Sequence, residues 1–409
     1  MKARTIVNDI YEVGIRDWTL HDFHGFATPR GVTYNSFLIM DEKICLIDGV
    51  KAPFAGEQLS NIRTIVDPEK IDYIVVNHVE PDHSGSLPAL AQACPHATFL
   101  ITVQGANELK EHYGDIFKTQ IVKKGDTVSL GKRTLAFQPI PMLHWPDSMV
   151  TYCPEEQILF SSDAFGQHYC CSKLFDDETE VENMFFEAQK YFANILMPYR
   201  KLVPNTVKLV RSLPLKMICS CHGCIWRSNI EGILSRYEAW GRGETVDRVL
   251  VVFDTMWGGT AAMARAMIKG IEKQGMRVKL YRYESSLKAD IVSDLLTAKG
   301  ILIGSPTQNS GMMPTIGGVL TYLKGLKPTG KKAAAFGTYG WAGGAEKDME
   351  ALIKDSGMEL LPGYNVKWRP LPKELEAAEQ YGFDFAEKVS KGEEHRPESV
   401  FRKPQGQGC

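Results

Sequence analysis

The sequence predicts two parts of different fold class, a mixed α+β or layered-sandwich part up to about residue 240 and a doubly wound α/β part over residues 248–392. The chain has 409 residues, of which 44% are hydrophobic and 23% are charged. This composition is typical of a globular protein, and this length predicts two or three domains. Short strand-like runs dominate the first part, whereas strand-like runs and helical patterns alternate regularly in the second.

The first part contains six short runs with strand character. They occupy residues 36–40, 44–48, 73–77, 98–102, 134–138 and 158–162. Helical patterns at residues 87–94 and 106–113 fall between some of them. Strands and helices in this order predict a mixed α+β or layered arrangement.

The second part contains four apolar runs that predict strands buried on both faces, as in a parallel sheet. They lie at residues 249–253, 278–281, 301–303 and 333–336. Between the first two runs, an apolar stripe with the period of an amphipathic helix contains Met263, Ala266, Met267, Gly270 and Ile271. This alternation of strands and helices predicts a doubly wound α/β domain.

Composition changes along the chain mark the predicted domain boundaries. Residues 241–247 are polar and contain two glycines, which is typical of a linker. Apolar residues become sparse from residue 391 onward, which predicts a flexible tail. We therefore expect one domain at residues 1–245, a second at residues 246–392 and a tail at residues 393–409.

Charge and cysteine content restrict the class of protein. The chain has 47 basic and 49 acidic residues, so no surface that attracts nucleic acid is expected. No run of about 18 apolar residues predicts a membrane span, and the N-terminus shows no apolar signal stretch. With nine cysteines, an odd number, these features predict a cytoplasmic protein with free or metal-bound thiols.

The densest group of metal-type side chains follows the apolar run at residues 71–76. It contains His78, Glu80, Asp82 and His83. In an extended chain, the first three would point the same way. A polar turn capped by Asp82 or Ser84 would explain Asp82 alone, so two histidines with two carboxylates predict a metal site.

Three further donors occur at or after predicted strand ends, namely His144, Asp163 and His222. Each of them alone would be unremarkable. Seven donors from four segments exceed what one metal ion needs, so the sequence predicts two metal ions. A carboxylate with two oxygens would bridge them, and we assign that role to Asp163.

Three loops in the second part predict a phosphate and ring site. The first loop follows the run at residues 249–253, and hydroxyls and backbone N–H groups there can hold a phosphate. The absence of a Gly-Lys-Ser/Thr sequence favours a phosphate that is held rather than transferred. A structural strand-to-helix turn is the alternative. The flat side chains of Trp257, Tyr339 and Trp341 suit flavin mononucleotide (FMN). The candidate FMN-binding residues are Thr255, Met256, Trp257, Gly258, Gly259, Thr260, Ser305, Pro306, Thr307, Asn309, Thr338, Tyr339, Gly340, Trp341 and Gly343.

The pattern His78-x-Glu80-x-Asp82-His83, with His144, Asp163 and His222, resembles the metallo-β-lactamase-like domain of flavodiiron proteins. The segments around Trp18, Phe23, Thr33, His168 and Trp226 also resemble that family, and the flavin loops are similar to those of flavodoxins. The resemblance implies an αββα sandwich followed by a flavodoxin-like doubly wound parallel sheet. It assigns one non-haem iron to His78, Glu80 and His144 and a second to Asp82, His83 and His222, with Asp163 shared. Related zinc hydrolases usually have His at the position of Glu80, and the carboxylate is compatible with iron, although zinc or manganese stays open.

The resemblance implies reduction of dioxygen to water, of nitric oxide to nitrous oxide, or both, in a head-to-tail homodimer or a dimer of dimers. No pair of Cys-x-x-Cys motifs follows the flavin part, so we expect a separate electron donor. A rubredoxin-like protein, a reduced deazaflavin and a nicotinamide-dependent reductase are the candidates. Two alternatives are a zinc hydrolase with a fused flavodoxin domain and a non-catalytic electron carrier or redox sensor.

A few residues depart from the family pattern or stay without an assigned role. Phe192 and Ser310 stand where a tyrosine and an asparagine are common. His24 and His168 lie in family segments and are expected near the site, without being assigned as ligands. Cysteines surround the ligand His222 at Cys219, Cys221 and Cys224, and another pair occurs at Cys170 and Cys171. We interpret these cysteines as small buried hydrophobic residues, with metal capture or reaction with nitric oxide as alternatives; Cys409 has no interpretation.

Overall fold

The computed structural model describes residues 3–391, which form two compact units. The first unit comprises the residues up to Tyr191 together with Lys201–Glu238, and the second comprises Phe192–Arg200 together with the residues from Ala239 onward. The segment Phe192–Arg200 therefore groups with the second unit, although it lies within the sequence of the first. A single domain boundary in the sequence cannot describe this division. The predicted tail at residues 393–409, with Cys409, lies outside the described residues.

From residue 3 onward, the first unit contains sixteen strands, several of them only two or three residues long. They are β1 (Arg4–Val7), β2 (Ile10–Glu12), β3 (Ile15–Asp17), β4 (Asp22–Phe23), β5 (Phe26–Ala27), β6 (Val32–Tyr34), β7 (Phe37–Ile39), β8 (Ile44–Ile47), β9 (Ile71–Val76), β10 (Thr98–Ile101), β11 (Thr119–Ile121), β12 (Thr127–Ser129), β13 (Thr134–Pro139), β14 (Met149–Cys153), β15 (Ile158–Ser162) and β16 (Met217–Ser220). The α-helices are α1 (Ala55–Arg63), α2 (Pro81–Ser84), α3 (Leu87–Ala93), α4 (Val103–Tyr113), α5 (Val181–Tyr191), α6 (Val203–Arg211) and α7 (Ile230–Arg242), whose last residues belong to the second unit.

Two large sheets form the core of the first unit. One has the order β1-β2-β7-β8-β9-β10-β11, with parallel pairing from β8 to β11, and the other has the order β12-β13-β14-β15-β16. Ile47 and Val75 of the first sheet share one buried cluster with Phe137 and Phe160 of the second. The opposite face of the first sheet packs against helical residues such as Leu90. The predicted layered sandwich is therefore confirmed, because the sheets bury one face against each other and helices cover another face.

The second unit contains a parallel sheet with the order β18-β17-β19-β20-β21, and β22 pairs with β20. Its elements are β17 (Val246–Phe253), α8 (Gly259–Lys273), β18 (Arg277–Arg282), α9 (Lys288–Thr297), β19 (Ala298–Gly304), α10 (Pro314–Leu326), β20 (Lys332–Tyr339), α11 (Ala345–Asp355), β21 (Glu359–Leu360), β22 (Tyr364–Lys367) and α12 (Pro372–Ser390). The strand order reverses between β17 and β19, which is the topological switch point of a doubly wound sheet. The prediction of a doubly wound α/β fold is confirmed.

The apolar stripe of α8 faces the core as predicted, and Met263, Met267 and Ile271 are fully buried. Glycines allow α8 and α12 to pack backbone against backbone. A Cβ atom on Gly270 would lie 1.8 Å from the carbonyl oxygen of Glu379, and one on Gly382 would lie 2.1 Å from that of Met267. Only residues without a side chain permit this approach.

Two expectations about the second part were wrong in detail. The run at residues 278–281 is not buried on both faces, because β18 is the edge strand of its sheet and most of its residues are exposed or half-buried. The expected linker at residues 241–247 is shorter, since α7 extends to Arg242 and β17 begins at Val246. Within residues 3–391, no helix combines the length and the apolar character needed to cross a membrane.

Candidate metal centre and flavin site

The seven predicted metal donors of the first unit lie at or after the ends of four strands. His78 and Glu80 follow β9, Asp82 and His83 lie in α2, and His144 lies in the loop between β13 and β14. Asp163 directly follows β15, and His222 follows β16. Because β15 and β16 are parallel neighbours, their carboxyl ends meet at one sheet edge.

One group of donor atoms is formed by His78, Glu80, His144 and Asp163, whose potential ligand atoms all lie within 4.8 Å of one another. The Nε2 atom of His144 lies 3.0 Å from Oε2 of Glu80 and 3.2 Å from Oδ2 of Asp163. The Nε2 atom of His78 lies 3.3 Å from the same Glu80 oxygen and 3.4 Å from the same Asp163 oxygen. Two imidazoles and two carboxylates thus converge on one point.

A second group contains His83, Asp163, Cys221 and His222. Oδ1 of Asp163 lies 3.1 Å from Nε2 of His83 and 3.4 Å from Nε2 of His222. Asp82 joins this group, because its carboxylate oxygens lie 3.3 Å from Nε2 of His83 and 3.2 Å from Nε2 of His222. Asp163 therefore belongs to both groups and turns one oxygen toward each.

The expectation that His78, Glu80 and Asp82 share one direction was wrong for Asp82. The short helix α2 begins at Pro81, directly after Glu80. Its backbone turns Asp82 and His83 away from the line of the preceding strand. For this reason, adjacent residues of one motif contribute to different groups.

Residues outside the predicted set orient the histidines. The carboxylate of Asp147 lies 3.0 and 3.1 Å from Nδ1 of His78 and accepts the N–H of Val79. The Nδ1 atom of His222 lies 2.7 Å from the carbonyl oxygen of Thr33. Partners of this kind hold a metal-ligating imidazole with its other nitrogen toward the metal. Asp147 follows His144 by three residues in the sequence, and no role was predicted for it.

The buried charges of the centre favour a cation. Burial opposes ionisation of Asp163, but the neighbouring His83 and His144 outweigh it and hold the pKa of this carboxyl well below its ordinary value. Burial likewise disfavours charged His83 and His144, yet the carboxylates beside them raise the pKa of each to about 9. Oδ1 of Asp82 and Oδ2 of Asp163 are buried, and the imidazole nitrogens beside them, at 3.3 and 3.2 Å, do not have hydrogen-bond geometry in the described part of the chain. Such a donor set fits metal ions, because buried carboxylates need a compensating charge.

Aromatic rings surround His222. Its ring centroid lies 5.1 Å from that of His168, 5.9 Å from Tyr34 and 6.1 Å from Tyr191. Burial and the nearby His222 lower the pKa of His168 well below its ordinary value, so this imidazole is neutral. His24 is more exposed, and its Nε2 lies 3.6 Å from Oε1 of Glu80.

In the second unit, most of the predicted FMN-binding residues lie in the loops that follow β17, β19 and β20, at the carboxyl edge of the parallel sheet. Gly259 and Thr260 lie at the start of α8, and Thr338 and Tyr339 lie at the end of β20. The hydroxyl of Thr255 accepts the N–H of Gly258, and α8 begins at the next residue. Trp257 is 96% exposed and Trp341 is 82% exposed. Large exposed aromatic surfaces indicate a binding site.

The same edge contains one aromatic residue that sequence reasoning missed. Trp368 follows β22, and its ring centroid lies 5.5 Å from that of Trp341. Among the predicted contacts, Thr260, Ser305 and Pro306 are buried. The hydroxyl of Ser305 accepts the N–H of Met313 and donates to the carbonyl of Pro306. These two hydrogen bonds stabilise the loop that follows β19.

Two family models match the chain. The ODP family beta lactamase model matches residues 32–223, and the Flavodoxin model matches residues 251–382. These regions fall in the parts of the chain that contain the metal donors and the flavin loops, respectively.

Several proteins are similar over nearly the whole chain. A nitric oxide reductase of Moorella thermoacetica is 42% identical over 94% of this chain and 98% of its own length. An anaerobic nitric oxide reductase flavorubredoxin of Salmonella arizonae is 40% identical over 93% of this chain and 81% of its own length.

Solved structures agree with these sequence relatives. The flavodiiron protein of Giardia intestinalis has a TM-score of 0.93 at 36% identity, covering 96% of this chain and 98% of that one. Rubredoxin:oxygen oxidoreductase of Desulfovibrio gigas has a TM-score of 0.92 at 35% identity, covering 96% and 99%. The chain has a metallo-β-lactamase-like domain followed by a flavodoxin domain, belongs to the flavodiiron protein family and is an oxidoreductase.

Proposed function

We propose that the protein reduces dioxygen to water, nitric oxide to nitrous oxide, or both, at two non-haem iron ions that receive electrons from FMN. The observation that carries this proposal is the position of Asp163, which turns Oδ2 toward one group of donors and Oδ1 toward the other. His78, Glu80 and His144 would hold one iron, Asp82, His83 and His222 would hold the other, and Asp163 would be shared. When bound, the irons would supply redox-active positions for a diatomic ligand, and FMN would supply the electrons.

The donor set favours iron over the zinc of a hydrolase. Glu80 adds an oxygen donor to a group that already contains Asp163, and oxygen-rich sets with imidazoles suit iron. Relatives that match nearly the whole chain include proteins named nitric oxide reductase, nitric oxide reductase flavorubredoxin and rubredoxin:oxygen oxidoreductase. The zinc hydrolase therefore stays as the alternative outcome of metal analysis.

The surroundings of His222 suit a small, uncharged substrate. Phe23, Tyr34 and Tyr191 present aromatic rings, and the neutral His168 completes this side. The faces of these rings offer apolar contact, which dioxygen and nitric oxide can use without a hydrogen bond. The hydroxyl of Tyr34 and both ring nitrogens of His168 are buried without a hydrogen bond in the described residues and could contact a bound diatomic molecule.

The flavin loops support FMN as the second cofactor. The hydroxyl and N–H groups after β17 lie at the start of α8, where a phosphate is favoured by the helix N-terminus. Trp257 and Trp341 offer flat surfaces for the ring. By its resemblance to the family, we further propose a head-to-tail homodimer or dimer of dimers in the cytoplasm. Its separate electron donor would be a rubredoxin-like protein, a reduced deazaflavin or a nicotinamide-dependent reductase.

The decisive experiment is metal and flavin analysis of anaerobically purified protein, followed by turnover with each gas. We expect about two irons and one FMN per chain, and consumption of at least one gas with a reduced donor. His78→Asn and Asp163→Ala should abolish gas consumption and leave FMN content unchanged, because both residues lie in the metal centre.

His96→Asn is the matched control, since His96 is exposed and precedes β10 at the opposite end of the strands. It should behave as the unmodified protein does. Zinc in place of iron, without gas reduction after iron reconstitution, would favour the hydrolase. FMN without metal would favour an electron carrier.

A further inference from the structure

The cysteines near His222 have different surroundings. Cys219 is buried in the core between the two large sheets of the first unit, as expected for a small hydrophobic residue. Cys221 donates to Asp163. Cys224 differs from both of them. Its sulfur lies 3.2 Å from the sulfur of Cys171, which belongs to a different segment of the chain.

This contact is short enough for bond formation. A disulfide bond is about 2.05 Å long, so the two sulfurs need to approach by only about 1 Å. Cys224 is 3% exposed, whereas Cys171 is half-buried. A small oxidant can therefore reach Cys171 first, and Cys224 is in place to react with the product.

The chemical environment supports reaction at Cys171. A hydrogen bond from Cys224 is the largest of the effects that lower the pKa of Cys171 to about 6. A hydrogen bond from the backbone of Lys173 also lowers this pKa, whereas burial raises it. The thiolate is the reactive form of cysteine, so Cys171 is the nucleophile of the pair.

We propose that Cys171 and Cys224 form a reversible disulfide when the protein encounters hydrogen peroxide. The Cys171 sulfur attacks the peroxide, the O–O bond breaks, and a sulfenic acid forms with release of one water. The Cys224 sulfur then attacks the Cys171 sulfur, and the S–O bond breaks with release of a second water. Hydrogen peroxide takes up two electrons and the two thiols lose them. This site goes beyond the proposed function and does not depend on it.

The surroundings indicate which segment moves. Gln167 donates to the carbonyl of Cys224, and the preceding Gly223 donates to Thr33, so the segment that carries His222 is held on both sides. Ser172 and Lys173, directly after Cys171, are exposed, and their carbonyl oxygens accept hydrogen bonds from the long side chains of Arg16 and Arg4 rather than from neighbouring backbone. We therefore expect the Cys171 segment to move toward Cys224, and the metal content to stay unchanged on oxidation.

The test uses the full chain, reduced and then freed of reductant, with one equivalent of hydrogen peroxide. After denaturation, free thiols are alkylated and the unreduced peptides are mapped by mass spectrometry. We expect a peptide that joins Cys171 to Cys224, the loss of two of the nine alkylatable thiols, and full recovery with dithiothreitol.

Cys171→Ser and Cys224→Ser should each abolish this peptide and leave the remaining partner open to alkylation. Cys153→Ser is the matched control, because Cys153 is buried and its sulfur faces Glu155; it should still form the peptide. Far-ultraviolet circular dichroism and FMN content would verify folding of each variant. A link from Cys171 to Cys170 or Cys409, or oxidation of Cys171 beyond sulfenic acid with Cys224 free, would overturn the proposal. Mass spectrometry detects the disulfide bond directly. The test of the Cys171–Cys224 disulfide is therefore independent of whether the protein reduces dioxygen or nitric oxide.

Discussion

The thiol of Cys221 donates a hydrogen bond of 3.0 Å to Oδ1 of Asp163. The same oxygen lies 3.1 Å from Nε2 of His83, so Cys221 contacts the carboxylate that the two donor groups share. Cys221 is 1% exposed, and solvent does not compete for this hydrogen bond. Cys221 is therefore positioned to hold the orientation of Asp163.

The effect of replacing Cys221 on metal retention should depend on whether the new side chain can still donate a hydrogen bond to Asp163. Cys221→Ala removes the donor. With iron bound as proposed, we expect the iron to be lost about tenfold more readily to a chelator, since partners that orient ligands contribute on this scale. Cys221→Ser keeps a donor and should retain iron. Iron per chain after dialysis against graded chelator measures this, with Cys153→Ala as the control. Equal loss in the Ala and Ser variants would indicate instead that the sulfur is itself a ligand.

Trp341 should contribute to FMN affinity, because 82% of its surface is exposed at the edge of the parallel sheet. We expect Trp341→Ala to weaken FMN binding about tenfold, which corresponds to about 1.4 kcal/mol. Titration of the flavin-free protein with FMN, followed by flavin fluorescence, measures this. Trp18→Ala is the control, since Trp18 is 51% exposed and belongs to the first unit. Unchanged affinity in Trp341→Ala would exclude a contact with the flavin.

Asp41 should make the stability of the protein depend on pH. Burial raises the pKa of its carboxyl, but N–H groups of Lys132, Glu42 and Arg133 donate to it and lower the pKa overall. Because the pKa in the folded state is below the ordinary value of 3.8, the stabilisation is complete above about pH 4 and is lost as the pH falls through the folded-state pKa.

The variant Asp41→Ala tests this dependence. We expect it to lower the free energy of unfolding by about 2 kcal/mol at pH 7, as for hydrogen bonds to a charged acceptor. The difference from the unmodified protein should shrink as the pH falls below 4, measured by urea unfolding at each pH. A difference that stays constant down to pH 2 would show that ionisation of Asp41 is not its cause.

Gly270 should be required for the packing of α8 against α12. A Cβ atom there would overlap the carbonyl oxygen of Glu379, so Gly270→Ala should lower the free energy of unfolding by about 2 kcal/mol. Gly318→Ala is the matched control in α10, where no atom lies within 4 Å of the added Cβ. It should raise stability by about 0.5 to 1 kcal/mol, because alanine favours the helix. Thermal unfolding of both variants measures the difference between their stabilities. Equal stability of the two variants would show that α8 and α12 can separate enough to accept a side chain at Gly270.

Much of the fold could be predicted from local patterns. The apolar period of α8 and the strand-like runs depend on neighbouring residues, and these patterns agree with the structure. The position of β18 at a sheet edge could not be predicted in this way, because the exposure of a strand depends on which strands pair beside it. The turn of α2 between Glu80 and Asp82 was missed for a related reason, since an extended chain and a short helix share the same polar residues.

The sequence by itself determined which residues could bind metal, because histidines and carboxylates follow apolar strand-like runs and few other roles explain them. It also predicted a second, parallel sheet whose strand ends carry the candidate flavin loops. Only the tertiary structure decided that Asp163 lies between the two donor groups, that Asp147 and the carbonyl of Thr33 orient the histidines, and that Cys171 meets Cys224. These contacts join segments that are far apart in the chain, and their distances depend on how strands pair and loops pack.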